Sequence, residues 1–147
     1  SVAIGYNALS NSTSGDSNVA IGERSMSANN TSGSWNTAVG AATMINNSTG
    51  TVNTAIGSGA MEENTTGSLN TALGHWALNK NTTASENTAV GAYSLSSVIA
   101  NTYGLTAIGY KSLENNTTGW NTTALGFMSL NSNTTGADNL ALGAVNS

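Results

Sequence analysis

Asn70-Thr71-Ala72-Leu73-Gly74-His75-Trp76-Ala77-Leu78-Asn79-Lys80-Asn81-Thr82-Thr83-Ala84-Ser85-Glu86 is one complete unit of a repeat, and its reading decides the fold. The block Asn-Thr-Ala-(Ile/Leu/Val)-Gly returns along the whole chain, with its glycines at 5, 22, 40, 57, 74, 91, 109, 126 and 143. Subtraction gives gaps of 17 residues, apart from two gaps of 18 that end at Gly40 and Gly109. Ala always stands two places before the glycine, and Ile, Leu or Val one place before it. Four places after it stands Leu or Met, from Leu9 to Leu130. A period this regular describes a stack of equivalent coils.

Within a coil, the recurring glycine and the Asn/Thr/Gly turn disfavour helix. Thr71-Ala72-Leu73 reads as a short strand and Ala77-Leu78 as a second one, separated by the polar turn Asn79–Thr83. Side chains alternate along a strand, so Thr71 and Leu73 share one face while Ala72 and Gly74 share the other. Neither face is charged, and a strand that is apolar or small on both sides is covered on both sides. Leu78 of the same chain supplies one cover. The second cover calls for another chain, and hence an oligomer. The expected fold is all-β, a parallel β-solenoid (β-roll) of about nine coils. Residues 1–147 form a single array without separate domains, read as a segment of a longer fibre because neither end carries a polar cap.

Composition narrows the function. Charged residues make up 7% of the chain, and there are only three Lys+Arg, which excludes counterion-release binding to nucleic acid. With no cysteine, disulfides and thiolate chemistry are excluded. No apolar run approaches a membrane span of roughly 20 residues. His75 is the one histidine and lacks a recognisable Ser or Asp partner, so it reads as an exposed side chain. Glu62-Glu63, the one adjacent acidic pair, would point apart on a strand. Asp16 and Asp138 are too few for a calcium-binding β-roll. The expectation is no catalysis, no metal and no cofactor.

A second glycine follows ten places after the first, at 15, 50, 67, 119 and 136, and reads as a turn into the next coil. The sequons at Asn64, Asn81, Asn116 and Asn133 read as turns in which Asn takes left-handed geometry and bonds its own backbone. In-register Asn and Thr side chains would form hydrogen-bonded ladders along the rod. The sixth copy is irregular: Ser96–Gly104 replaces the polar turn, Leu105 takes an Asn place, and a bulged turn is expected there. Aromatic residues recur in register. Trp76 with Tyr93, Tyr110 with Phe127, and Tyr103 with Trp120 should lie in adjacent coils, and Trp35, Val52 and Leu69 share another column. Edge packing or burial against a neighbouring chain is the ordinary use of such rings. Their functional use would be as ligand contacts for sugar or protein.

Ser1-Val2-Ala3-Ile4-Gly5 and Asn18-Val19-Ala20-Ile21-Gly22 resemble the YadA-like head repeat of trimeric autotransporter adhesins. The Asn-Thr-Ala-Leu-Gly and Asn-Thr-Thr-Gly variants are similar to repeat arrays of phage tail fibres. The resemblance spans essentially the whole chain, although the unit here is longer than the commonest adhesin-head repeat. It implies a left-handed roll, a homotrimer, and an extracellular structural and adhesive fibre segment that meets a host or surface receptor, protein or glycan, without itself touching membrane. The alternative is a phage tail-fibre shaft or receptor-binding segment. A glycan-binding solenoid, or an ice-binding one using the Thr pairs such as Thr82-Thr83, is a further alternative.

Overall fold

A computed structural model describes residues 1–28 and 31–144. It is a parallel β-solenoid with nine three-residue strands in chain order, β1 (Val2–Ile4), β2 (Val19–Ile21), β3 (Thr37–Val39), β4 (Thr54–Ile56), β5 (Thr71–Leu73), β6 (Thr88–Val90), β7 (Thr106–Ile108), β8 (Thr123–Leu125) and β9 (Leu140–Leu142). Each strand pairs with the next in perfect repeat register, Ala72 against Ala89 and Leu73 against Val90. The eight pairings define eight turns and a rod of about 40 Å at roughly 4.8 Å per strand.

Alternation along the strand sorts its residues as expected. Ala20, Ala38, Ala55, Ala72, Ala89, Ala107 and Ala124 are fully buried, while the flanking Thr and Ile/Leu/Val point out of the sheet. Only the inner face is covered by the chain's own residues.

The expected second strand is absent among the described residues. Ala77-Leu78 lies in a turn, and Leu78 is fully buried with φ 50°. Met26, Met44, Met61, Leu95 and Leu113 are held this way, all at φ 50–51° and all at zero exposure, while Leu9 and Leu130 share the conformation but are half-buried. A strand would have carried these side chains along an extended line. The left-handed corner drops each one into the narrow interior under the Ala column. Two further columns adopt the same conformation, one containing Trp76 and Tyr93 and the other Trp35, Val52 and Leu69. For non-glycine residues this conformation costs roughly 1–2 kcal/mol each, and it turns the chain through a corner in few residues.

The repeat glycine is required twice over. Gly74 has φ 141°, and a Cβ there would lie 2.6 Å from the Gly91 backbone. The second glycine is needed for close approach alone. A Cβ on Gly67 would lie 2.4 Å from the Ala84 carbonyl oxygen, and Gly67 is not among the positive-φ glycines.

Two columns of buried asparagine hold successive coils together. In the first, Asn53 Nδ2 donates to the Gly67 carbonyl at 2.8 Å, and Asn53 Oδ1 accepts the Asn70 backbone N–H at 3.0 Å. Asn18, Asn36, Asn70 and Asn87 repeat the pattern. In the second, Asn64 Nδ2 donates to Asn47 Oδ1 at 2.8 Å and to the Gly67 carbonyl at 3.0 Å, and Asn81 does the same one coil on. The sequon asparagines Asn64, Asn81 and Asn116 are thus buried, and their Nδ2 atoms are engaged. They do bond their own turn, as expected, but without left-handed geometry.

Two substitutions test this arrangement by urea unfolding. Gly74→Ala should cost more than about 3 kcal/mol, since strain and clash act together. Asn53→Ala should cost roughly 2–5 kcal/mol, because it orphans the buried Asn70 N–H, leaves a cavity and strips the Gly67 carbonyl of one of its two carboxamide donors. A cost below about 1 kcal/mol for Asn53→Ala would place coil cohesion elsewhere.

Candidate functional site

In a solenoid, residues that follow the repeat build the rod, and function is sought where the repeat breaks. The sharpest break is coil six, from Gly91 to Gly109. Four polar columns are interrupted there at once. Val98 takes the place of Asn81 and Asn116, and Leu105 that of Asn87. Ile99 replaces the turn threonine whose hydroxyl otherwise donates to the next coil, as Thr65 Oγ1 does to the Thr82 carbonyl at 2.9 Å. Tyr103 replaces Ser85 and Ser68, hydroxyls that accept the backbone N–H of Ser68 and Thr51 at 3.0 Å.

Hydrogen bonds locate the extra residue. Thr82 N–H donates to Ile99, 17 residues on. Asn87 Nδ2 donates to the Thr102 carbonyl, where Asn70 Nδ2 donates to Ala84, so the place of Ala84 recurs after 18 residues. The insertion therefore falls between Ile99 and Thr102, and Asn101, at φ 56°, takes it up. The expected bulge is present. The second long gap, before Gly40, falls on Asn29 and Asn30, outside the described residues.

The two apolar replacements are absorbed by the core, with Val98 at 0% and Leu105 at 1% exposure. The other consequences stay open. Thr102 Oγ1 is buried without a partner, one of two such atoms among the described residues along with Ser129 Oγ. A surface groove of about 410 Å³ lies at the insertion, lined by Thr83, Ser85, Glu86, Asn101, Thr102 and Tyr103. Trp120 stacks on Tyr103 from coil seven, with ring centroids 5.9 Å apart and planes at 24°.

The remaining aromatic candidates form a ribbon over coils five to eight. Trp76 and Tyr93 meet edge-on at 5.7 Å, Tyr93 and Tyr110 likewise at 6.2 Å, and Tyr110 and Phe127 stack at 5.5 Å. The spacing of 17 had paired the first two and the last two. Tyr93 and Tyr110 are also 17 apart, but the 18-residue coil between Gly91 and Gly109 puts them in adjacent columns, and the ribbon crosses between columns there. His75 is exposed and stacks on Trp76 at 5.3 Å. Gly59, in the column of Trp76, makes room for the indole: a Cβ there would lie 2.4 Å from the ring. Lys111 Nζ sits 5.6 Å from the Tyr93 ring centroid and 5.7 Å from that of Tyr110. Its hydrogen bond to Glu114, and that carboxylate's charge, hold the ammonium above its ordinary pKa.

Glu62 and Glu63 lie in a turn rather than on a strand, and both border one shallow groove. Glu62 Oε2 accepts from Asn79 Nδ2 at 3.1 Å. Among the described residues no group of three or more His, Asp or Glu is placed to hold a metal ion, and no helix is long and apolar enough to cross a membrane. No protein-family model, curated protein or solved structure matches the chain.

Deleting Asn101 tests whether the insertion serves the fold. The shortened coil would regain the 17-residue spacing of its neighbours, so the variant should unfold at the same or higher urea concentration. A large loss of stability would make the insertion a structural requirement.

Proposed function

We propose that the chain is a non-catalytic structural and adhesive segment of an extracellular fibre, built from three copies wound as left-handed rolls around one axis. The observation that carries this reading is the outward face of the sheet. Ile56, Leu73, Ile108 and Leu125 stand in one column at 38–44% exposure, with no residue of their own chain over them. Taking such a side chain from exposed to fully buried is worth roughly 1.5–3 kcal/mol, and a monomer forgoes the share of it that belongs to the still-exposed surface of each residue, along the whole rod.

The flanks of the sheet support the same reading. Trp35, Val52 and Leu69 are all exposed, and all are held at φ 56–60°. Left-handed backbone is unfavourable for any of them and a genuine outlier for β-branched Val52. Solvent offers such side chains no compensation, whereas a neighbouring copy does. On the other flank runs the aromatic ribbon. The resemblance of the repeat to trimeric adhesin heads supplies the number three. A threefold rod with few charges and long in-register columns suits a fibre that sets attachment residues at a distance from their anchor.

Size-exclusion chromatography with light scattering tests the assembly. The chain should run as a complex of three, and Leu73→Asp with Ile108→Asp should release single chains whose circular dichroism stays β-solenoidal. A folded wild-type monomer would overturn the proposal.

A further inference from the structure

We infer that the groove at coil six is a binding site for a neutral sugar unit of a glycan. The groove adjoins the flank of Trp35, Val52 and Leu69, since Glu86 is the next member of that column. The inference therefore requires that flank to stay open at coil six in the assembled rod, and the light-scattering arm of the test reads assembly apart from binding.

Coil six gives up four polar ladders together that coils three to five keep, and coil seven restores only those of Asn116 and Thr117, with Trp120 and Thr122 in the other two places. A rod selected for cohesion alone has no use for that. What the insertion adds is Asn101 and an open aromatic wall beside polar groups the rod does not use. In regular coils the first turn hydroxyl and the turn carboxamide are bonded along the rod, as Thr65 Oγ1 and Asn64 Nδ2 are, while the second turn hydroxyl is not. The exposed side chains of Thr83, Glu86 and Asn101 make no hydrogen bond among the described residues, and Thr102 Oγ1 is buried and unpartnered. The Ser85 hydroxyl accepts one bond, from Ser68 N–H, and retains its donor.

The aromatic element is one-sided. Trp120 occupies the coil-seven side of Tyr103, and the groove opens on the coil-five side, among Thr83, Ser85 and Glu86. A sugar ring presents apolar C–H groups on one side and hydroxyls at its rim, which matches an aromatic wall ringed by hydroxyl, carboxamide and carboxylate groups. A groove of about 410 Å³ has room for one or two such rings. Charge refines the class. Glu86 is the one charged residue of the lining, so the site disfavours sialic and uronic acids. Its carboxylate accepts two sugar hydroxyls without help from a metal.

The test uses the intact chain and backbone amide NMR. The probes are lactose, maltose and N,N′-diacetylchitobiose at about 10 mM, with N-acetylneuraminic acid and choline as contrasts. At least one neutral disaccharide should shift amides confined to residues 83–86, 99–105 and 120. Tyr103→Ala should abolish the shifts, and Glu86→Gln should weaken binding at least about tenfold. Deletion of Asn101 should abolish the shifts as well. Glu23→Gln, exposed and remote from the groove, should bind as the wild type does. Light scattering on each variant separates loss of the site from loss of assembly. The inference is overturned if no neutral disaccharide shifts these amides, if N-acetylneuraminic acid binds as well as they do, or if choline binds in their place. It is equally overturned if assembled Tyr103→Ala binds normally.

Discussion

Asparagine carboxamides reaching from coil to coil are the interaction on which the rest of this molecule depends. Each coil has only three residues in strand, too few for the sheet ladder alone to satisfy its backbone. Asn36, Asn53, Asn70 and Asn87 meet the difficulty where the strand is about to begin. Each gives its Nδ2 to a carbonyl of the next turn and accepts the next coil's N–H on its Oδ1. Every buried donor in that column finds its partner at the same place one repeat away. Identity of neighbouring coils is therefore a physical demand, and it explains why the repeat is kept so strictly in residues that touch nothing outside the rod.

The narrow interior follows from the same economy. Ala under the sheet, Leu or Met at a left-handed corner and two asparagines fill it, leaving no room for a second inward strand. The larger apolar residues of the strand are consequently turned outward. A chain that buries Ala and displays Ile and Leu has inverted the usual allocation, and that inversion is the reason for reading the rod as one part of an assembly.

Much of this was legible in the sequence. One strand per glycine and their parallel pairing followed from the glycine register, although the nine strands close eight turns and not nine, and alternation in Thr71-Ala72-Leu73 correctly sent Ala72 inward. The ladders and the columns of rings also followed from the period. The segment around Leu78 was not legible. An apolar residue next to Ala suggests a strand, and nothing in residue type signals that Leu, Met, Trp or Val will adopt positive φ, since those residues ordinarily avoid it. The tertiary gain of dropping Leu78 into the core outweighs a local preference of roughly 1–2 kcal/mol. The coil-six groove was visible only as an irregularity. That Val98, Ile99, Tyr103 and Leu105 each interrupt a different ladder requires knowing what the ladders are bonded to.

Native-state hydrogen exchange by NMR tests the central claim most directly. The backbone amides of Asn36, Asn53, Asn70, Asn87 and Leu105 donate to the carboxamide of the preceding coil. They should be among the slowest in the chain, exchanging only through global unfolding. Amides of the coil-six insertion, Ala100 and Asn101, should exchange through local opening. If the asparagine-column amides exchange as fast as those of the exposed turns, the carboxamide ladder does not hold the coils together and the account is wrong.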